Sequence, residues 1–193
     1  MRYSENHKQE TRERVLKLAA AALREEGPDR LGVAEVMKAA GLTHGGFYAH
    51  FKSKDEFLAA ALSEVFAQSA ENAKRYTEKG SAREALSGYI DFYVSQGHRD
   101  HPGTGCPIPA LNSDLPRQSK LFRRVFDIGV KRLVDQVARW VAEIGLENPE
   151  QIAASVVSAM AGAIAVSRAV SDRKLSDELI SSANAGIKAR LGL

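Results

Sequence analysis

Glycine 41 and the residues on either side of it constrain this chain more than any other feature. It separates Val33-Ala-Glu-Val-Met-Lys-Ala-Ala40 from Leu42-Thr-His-Gly-Gly-Phe-Tyr-Ala-His-Phe51, and Ser53-Lys-Asp-Glu56 follows at once. Val33, Val36, Met37 and Ala40 recur at helical spacing, so one face of the first segment is apolar and demands burial. Glycine takes a positive φ without penalty, which lets the chain reverse within about three residues. Thr43 is placed to cap a second helix whose buried face carries Phe47 and Phe51. Ser53 and Glu56 have the spacing of a capping box and open a third helix marked by Leu58, Ala61, Leu62 and Val65. Helix, glycine turn and helix make the layout of a helix-turn-helix, whose second helix enters the DNA major groove.

Every other segment also reads as helix. Val15, Leu18, Ala19, Ala22 and Leu23 give an amphipathic helix that ends near Gly27-Pro28. Ser81-Ala-Arg-Glu84 is a second capping box, ahead of Leu86, Tyr89, Ile90 and Tyr93. Arg99 to Leu115 is rich in Gly, Pro, Asn and Asp and is expected to be the one long irregular connection. Phe126, Val130, Leu133, Val137, Trp140 and Ile144 then step by fours and threes as a seam for other helices. Asn148-Pro149 opens a segment dense in small residues, with Asn as cap, and a last helix is expected over about Ser176 to Ala189. No run alternates as a strand would, so the fold class is all-α.

The segment Thr43-His-Gly-Gly-Phe-Tyr-Ala-His-Phe-Lys-Ser-Lys54 closely resembles the recognition segment of the TetR family of bacterial transcriptional regulators. The resemblance covers about the first quarter of the chain; beyond it only length and helical character agree. It implies a three-helix DNA-binding domain over residues 1–52 and a larger ligand-binding and dimerisation domain over 53–193. By the same resemblance Thr43, His44, Gly45 and Gly46 touch bases, while Tyr48, His50 and Lys54 grip phosphates. The chain departs from the family at Gly32, where a capping Ser or Thr that touches phosphate is more usual. The family also implies a homodimer through the last two helices, a palindromic double-stranded operator and release by a small molecule.

The residues themselves support parts of this. Gly45 and Gly46 cost a helix roughly 1 kcal/mol each against Ala, which makes sense where backbone must approach another molecule closely. Arg2, Lys8, Arg12 and Arg14 are within reach of phosphate by position, although Glu5, Glu10 and Glu13 interleave with them as on a solvated face. Tyr89, Phe92, Tyr93, Phe122, Phe126 and Trp140 are candidates to line an effector pocket or else simply fill the core. With few charges among them, the expected effector is apolar or aromatic.

A formal charge of +3 over 193 residues suits DNA binding without the heavily basic surface of a non-specific coat. One cysteine excludes an intramolecular disulfide framework and fits a reducing compartment. The polar start and the want of an apolar run of about 18 residues point to a cytoplasmic protein that does not engage a membrane. Cys106 sits in Gly103-Thr-Gly-Cys-Pro-Ile-Pro109 near His98, Arg99 and His101, and cationic neighbours lower a thiol's pKa. It is therefore added to the pocket candidates, and it opens an alternative reading as a redox- or electrophile-sensing repressor. A metal site on Cys106, His98 and His101 lacks an evident fourth ligand, so no metal or cofactor is expected. A cysteine-dependent enzyme is the remaining rival, but no pattern of that kind surrounds Cys106, and the chain is read as a regulator rather than an enzyme.

Overall fold

The computed structural model describes residues 2–77 and 80–193, and among them there is helix and connection but no strand. The elements are α1 (Arg2–Glu26), α2 (Val33–Ala39), a 3-10 helix (His44–Ala49), α3 (Lys54–Thr77), α4 (Ala82–Tyr93), α5 (Gln96–Asp100), α6 (Pro107–Leu111), α7 (Lys120–Glu143), α8 (Pro149–Ala169) and α9 (Arg173–Leu191). Their buried faces assemble into two apolar cores. The first joins Val15, Ala19 and Leu23 of α1 to Met37, Phe47, Phe51 and the α3 residues Phe57, Leu62 and Val65. It runs along α3 past residue 52 and also takes in Leu111, Leu115 and Phe122. The second joins Leu86, Ile90 and Tyr93 of α4 to Val137 and Trp140 of α7, with Met160, Ile164, Ile180 and Ile187 of α8 and α9. Phe66 and Phe126, in edge contact at 5.8 Å between ring centroids, pack against both.

Local chemistry sets most helix ends. Gly41 has φ 73°, and the amides of Gly41 and Leu42 donate back to Lys38 and Met37, closing α2. Ser81 and Glu84 form the reciprocal capping box. At Ser53 the box is offset: Glu56 N–H donates to the Ser53 hydroxyl at 3.1 Å, while the Glu56 carboxylate accepts from the Lys52 amide. Two caps in the last helices differ from expectation. Asn148 precedes Pro149 in a left-handed conformation and makes no side-chain cap, so its tolerance of positive φ is what the turn uses. The last helix begins earlier than expected because the Asp172 carboxylate accepts from the amides of Lys174 and Leu175.

Two larger corrections concern length and order. Residues 99–115 are not an irregular connection: α5, α6 and two 3-10 turns pack them down, burying Gly103, Gly105, Cys106, Pro107, Ile108, Pro109 and Leu111. Proline at the first helical position of α6 is what lets so short and Pro-rich a stretch be helical. And α8, at 21 residues with a windowed mean hydropathy of 1.6, is long and apolar enough by composition to span a bilayer. Its many alanines and valines raise the mean even though serine, glycine and arginine interrupt the apolar run; its inner face packs on α7 and α9.

His98, buried beneath the second core, ties these parts together. Its Nε2 accepts from the Cys106 amide at 2.9 Å, so Nδ1 carries the proton and donates to the Tyr93 carbonyl at 2.7 Å. Arg168 of α8 donates to the carbonyls of His98 and Arg99, and Arg99 is held by Asp100, Ser176 and Asp177. Burial pushes the imidazole down from 6.5 to about 4, further aided by Arg168 and opposed by the Tyr93 carbonyl. With the folded pKa below the unfolded one, the unfolded chain binds the extra proton. Stability is therefore whole above about pH 6.5 and falls as pH drops toward 4, by up to about 1.4 kcal/mol per pH unit. Asp100, held low by Arg173 and then Arg99, titrates below that window. Urea unfolding of His98→Gln between pH 7.5 and 4.5 should show a weakened protein with a flatter pH response; a slope equal to wild type would absolve His98.

Candidate nucleic-acid interface and internal cavity

The segment after Gly41 is a 3-10 helix rather than an α-helix. Gly45 and Gly46 contribute poor helix propensity, and the amide of Gly46 donates to Thr43 at i−3. Thr43 occupies the cap position with extended backbone, but its side chain makes no capping bond. Its hydroxyl is thus left for another partner. Phe47 and Phe51 are buried and meet Phe57 at 5.6 and 5.0 Å between centroids, anchoring the segment to α3. On the opposite side Thr43, His44, Gly45, Tyr48 and Lys54 are exposed, Tyr48 to 71%. A Cβ at Gly45 would meet nothing within 4 Å, so packing inside the protein does not demand glycine there.

His50 is half-buried at the edge of this face. Burial is the main reason its pKa is lowered, with Lys8 and then Arg12 adding to it. Its buried Nδ1 has no hydrogen-bond partner. Arg12 lies over the Phe51 ring at 5.0 Å from its centroid. Among the N-terminal cations, then, Lys8 and Arg12 act on the same edge as His50, while the side chains of Arg2 and Glu5 lie outside the described residues. The glycine-turn pattern disclosed the face, and the mixed-charge run at the N-terminus contained the two cations of α1 that border it.

Within the helical body, α3, α4 and α7 leave a cavity of about 310 Å³. Of the seven pocket candidates only Tyr89 and Cys106 line it. Phe92 and Tyr93 line a small hollow of about 10 Å³ that shares Tyr89 and Cys106. Phe126 stands behind Phe66, Trp140 packs behind Tyr89 at 5.4 Å, and Phe122 is buried in the first core. The rest of the lining includes Phe66, Ala70, Ala73 and Lys74 of α3 and Gly129, Arg132, Leu133, Gln136 and Arg139 of α7. The expectation of a lining poor in charge does not hold at the mouth, where Lys74, Arg132 and Arg139 are exposed. Gly129 was the available signal. A glycine amid a long amphipathic helix marks a close approach, and here a Cβ would fall 2.4 Å from the Phe66 ring carbons.

Cys106 is buried, and burial pushes its thiol up, against the pull of the Tyr93 hydroxyl, the Ile108 backbone, Arg168 and Arg24. The nearby histidine that was expected to activate it bonds instead to its own amide. Arg99 is turned toward Asp100 and Asp177, and His101 is exposed. Arg24, at the end of α1, donates to the Gly105 carbonyl and to Gln68 of α3, so the strand of chain that carries Cys106 is tied to the helix that enters the first core.

Comparison with known proteins agrees with this arrangement. Residues 15–61, from α1 into α3, match the model of bacterial regulatory proteins of the tetR family. The HTH-type transcriptional repressor NemR of Escherichia coli is 26% identical over 144 residues, 72% of this chain and 70% of that protein. The crystal structure of its reduced form superposes with a TM-score of 0.78 at 24% identity, covering 93% of this chain and 96% of NemR. A TetR-family regulator from Cytophaga hutchinsonii superposes at 0.80 with 18% identity, covering 95% and 96% of the two chains. Residues 15–61 thus carry the helix-turn-helix of the tetR family, the body behind it has the all-helical fold of TetR-family regulators, and the matches together support a transcriptional regulator of that family.

Proposed function

We propose that this chain is a homodimeric repressor that reads a palindromic operator and lets go when a small molecule fills the cavity between α3, α4 and α7. The observation that carries the DNA-reading assignment is Gly45: an exposed glycine that the protein's own packing does not require, flanked by exposed His44, Tyr48 and Lys54. Glycines there suit backbone lying close to bases, with Thr43, His44, Gly45 and Gly46 as readers. Tyr48, Lys54 and the half-buried His50 suit phosphate, with Lys8 and Arg12 adding charge. In this reading residues 1–52 form the DNA-binding domain and 53–193 the effector and dimer domain.

The dimer surface is proposed on α8 and α9. Ser155, Ser158, Gly162, Val166 and Ala169 make an exposed stripe along α8, and Leu175, Ser182, Gly186 and Ala189 one along α9. Small residues at this spacing admit a second pair of helices closely. A paired surface there also accounts for an α8 that is apolar outside as well as inside.

A second reading rests on Cys106 lining both hollows. There a reagent that enters the cavity could modify the thiol and expel the DNA, although burial keeps the thiol protonated at neutral pH. Selection of duplexes from a random DNA pool, with oxidised and reduced protein in parallel, tests both. A palindrome enriched in both states supports the small-molecule repressor; one enriched only with reduced protein supports the thiol sensor. No enriched site overturns the regulator reading altogether.

On the selected operator, Tyr48→Phe and Lys54→Ala should weaken binding to every sequence alike, whereas His44→Ala should change which bases are preferred. Gly45→Ala should leave the fold at least as stable, by up to about 1 kcal/mol, and still weaken operator binding; undiminished binding would remove Gly45 from the interface. Gly162→Arg places a long charge where a Cβ meets nothing within 4 Å in the single chain. Analytical ultracentrifugation should then find a folded monomer, and a persisting dimer would move the interface elsewhere.

A further inference from the structure

We propose that the cavity accepts an anion built on an apolar ring system, with its body against Phe66, Leu133 and Tyr89 and its charged group between Arg132 and Arg139. The proposal rests on the effector reading of this cavity and names the chemistry of what fills it. Phe66 and Leu133 form apolar walls, and the alanines Ala70 and Ala73 leave room for a flat ring. A volume of about 310 Å³ lies at the lower end of small-molecule sites, enough for two or three fused or linked rings.

Charge at the mouth is one-sided once existing pairs are removed. Asp135 is engaged by Lys131 at 2.8 Å, and Glu71 by Lys74 at 2.8 Å. Arg132 and Arg139 have no carboxylate partner among the described residues; Arg139 donates only to the neutral Gln136. Positions 132, 136 and 139 follow one another at i, i+4 and i+7, so both guanidiniums overlook the same opening about two turns apart. A guanidinium is a planar fork suited to carboxylate or sulfonate, and a pair of them beside low-dielectric walls favours an anion over its neutral analogue.

A second observation lies at the inner end. Tyr89 is 4% exposed and lines the cavity, where it supplies a phenolic hydroxyl that can donate or accept. A ligand bearing a ring-bound oxygen or nitrogen at the end opposite its charge would bond to it.

The test uses two dyes that share one ring skeleton: 1-anilinonaphthalene-8-sulfonate, an anion, and N-phenyl-1-naphthylamine, its uncharged counterpart. Fluorescence titration of the full-length protein should find the sulfonate bound about tenfold more tightly. Leu133→Trp, which fills the wall, should abolish binding of both and so localise the signal. The double variant Arg132→Gln/Arg139→Gln should lose about tenfold in affinity for the sulfonate and keep that for the neutral dye, with operator binding unchanged when no dye is present. Equal affinity for the two dyes, or sulfonate binding indifferent to the double variant, overturns the anion assignment while leaving the cavity as an effector site. Failure of both dyes to bind, with operator binding intact, overturns the cavity itself.

Discussion

The crossing of α3 over α7 is the contact on which the rest of the structure depends. Phe66 lies against Gly129 so closely that a Cβ on the glycine would fall 2.4 Å from the ring carbons, and no other residue type leaves room for the ring as it stands. Phe66 and its neighbour Phe126 are the aromatics that touch both cores, so this crossing joins the DNA-facing end of the molecule to the helical body. Phe66 is also a wall of the cavity. One side chain thereby borders the site where a ligand would sit and lies on the helix that begins with Lys54.

A second connection runs through α1. Arg24 is buried at the end of that helix, with its guanidinium spread between the Gly105 carbonyl at 3.3 Å and Gln68 at 3.1 Å. Burial lowers its pKa, and its Nε finds no partner, so the residue is kept at a cost that its two long-range bonds offset. Gly103 allows Glu25 to lie across the same stretch, where a Cβ would come within 2.1 Å of the carboxylate. Cys106, one residue beyond Gly105, lines the cavity. Displacement of that stretch by a ligand would therefore be felt by α1 as well as α3, and the two helices together form most of the first core's frame.

How much of this was legible in the sequence depended on how local the cause was. Gly41, the Ser81–Glu84 box and the buried faces of Phe47 and Phe51 are short-range effects, written within four residues of where they act. The cavity was not, because its walls come from three helices far apart in sequence. An aromatic such as Trp140 or Phe122 has the same local pattern whether it faces a void or a packed neighbour. The thiol of Cys106 failed for the same reason: proximity in sequence to His98 and Arg99 gave no hint that one would bond its amide and the other turn toward α9. Residues 99–115 look irregular because proline and glycine usually end helices, yet Pro107 at a first helical position starts one.

The geometry of α3 also sets how small a disturbance is enough. Phe66 is 12 residues from Lys54, which at the helical rise is a lever of about 18 Å. A tilt of about 5° about the Phe66–Gly129 crossing would carry Lys54 through roughly 1.5 Å, and in a two-fold dimer the partner moves oppositely, so the reading heads would separate by about 3 Å. Hydrogen bonds to phosphate tolerate only a few tenths of an ångström around 2.9 Å, and half-sites a helical turn apart tolerate no such change at both ends together. In the proposed repressor, a ligand that favoured the tilted state by a few kcal/mol would be enough to empty the operator. The tight glycine contact suits that role, because a fulcrum with no slack passes a displacement on instead of absorbing it.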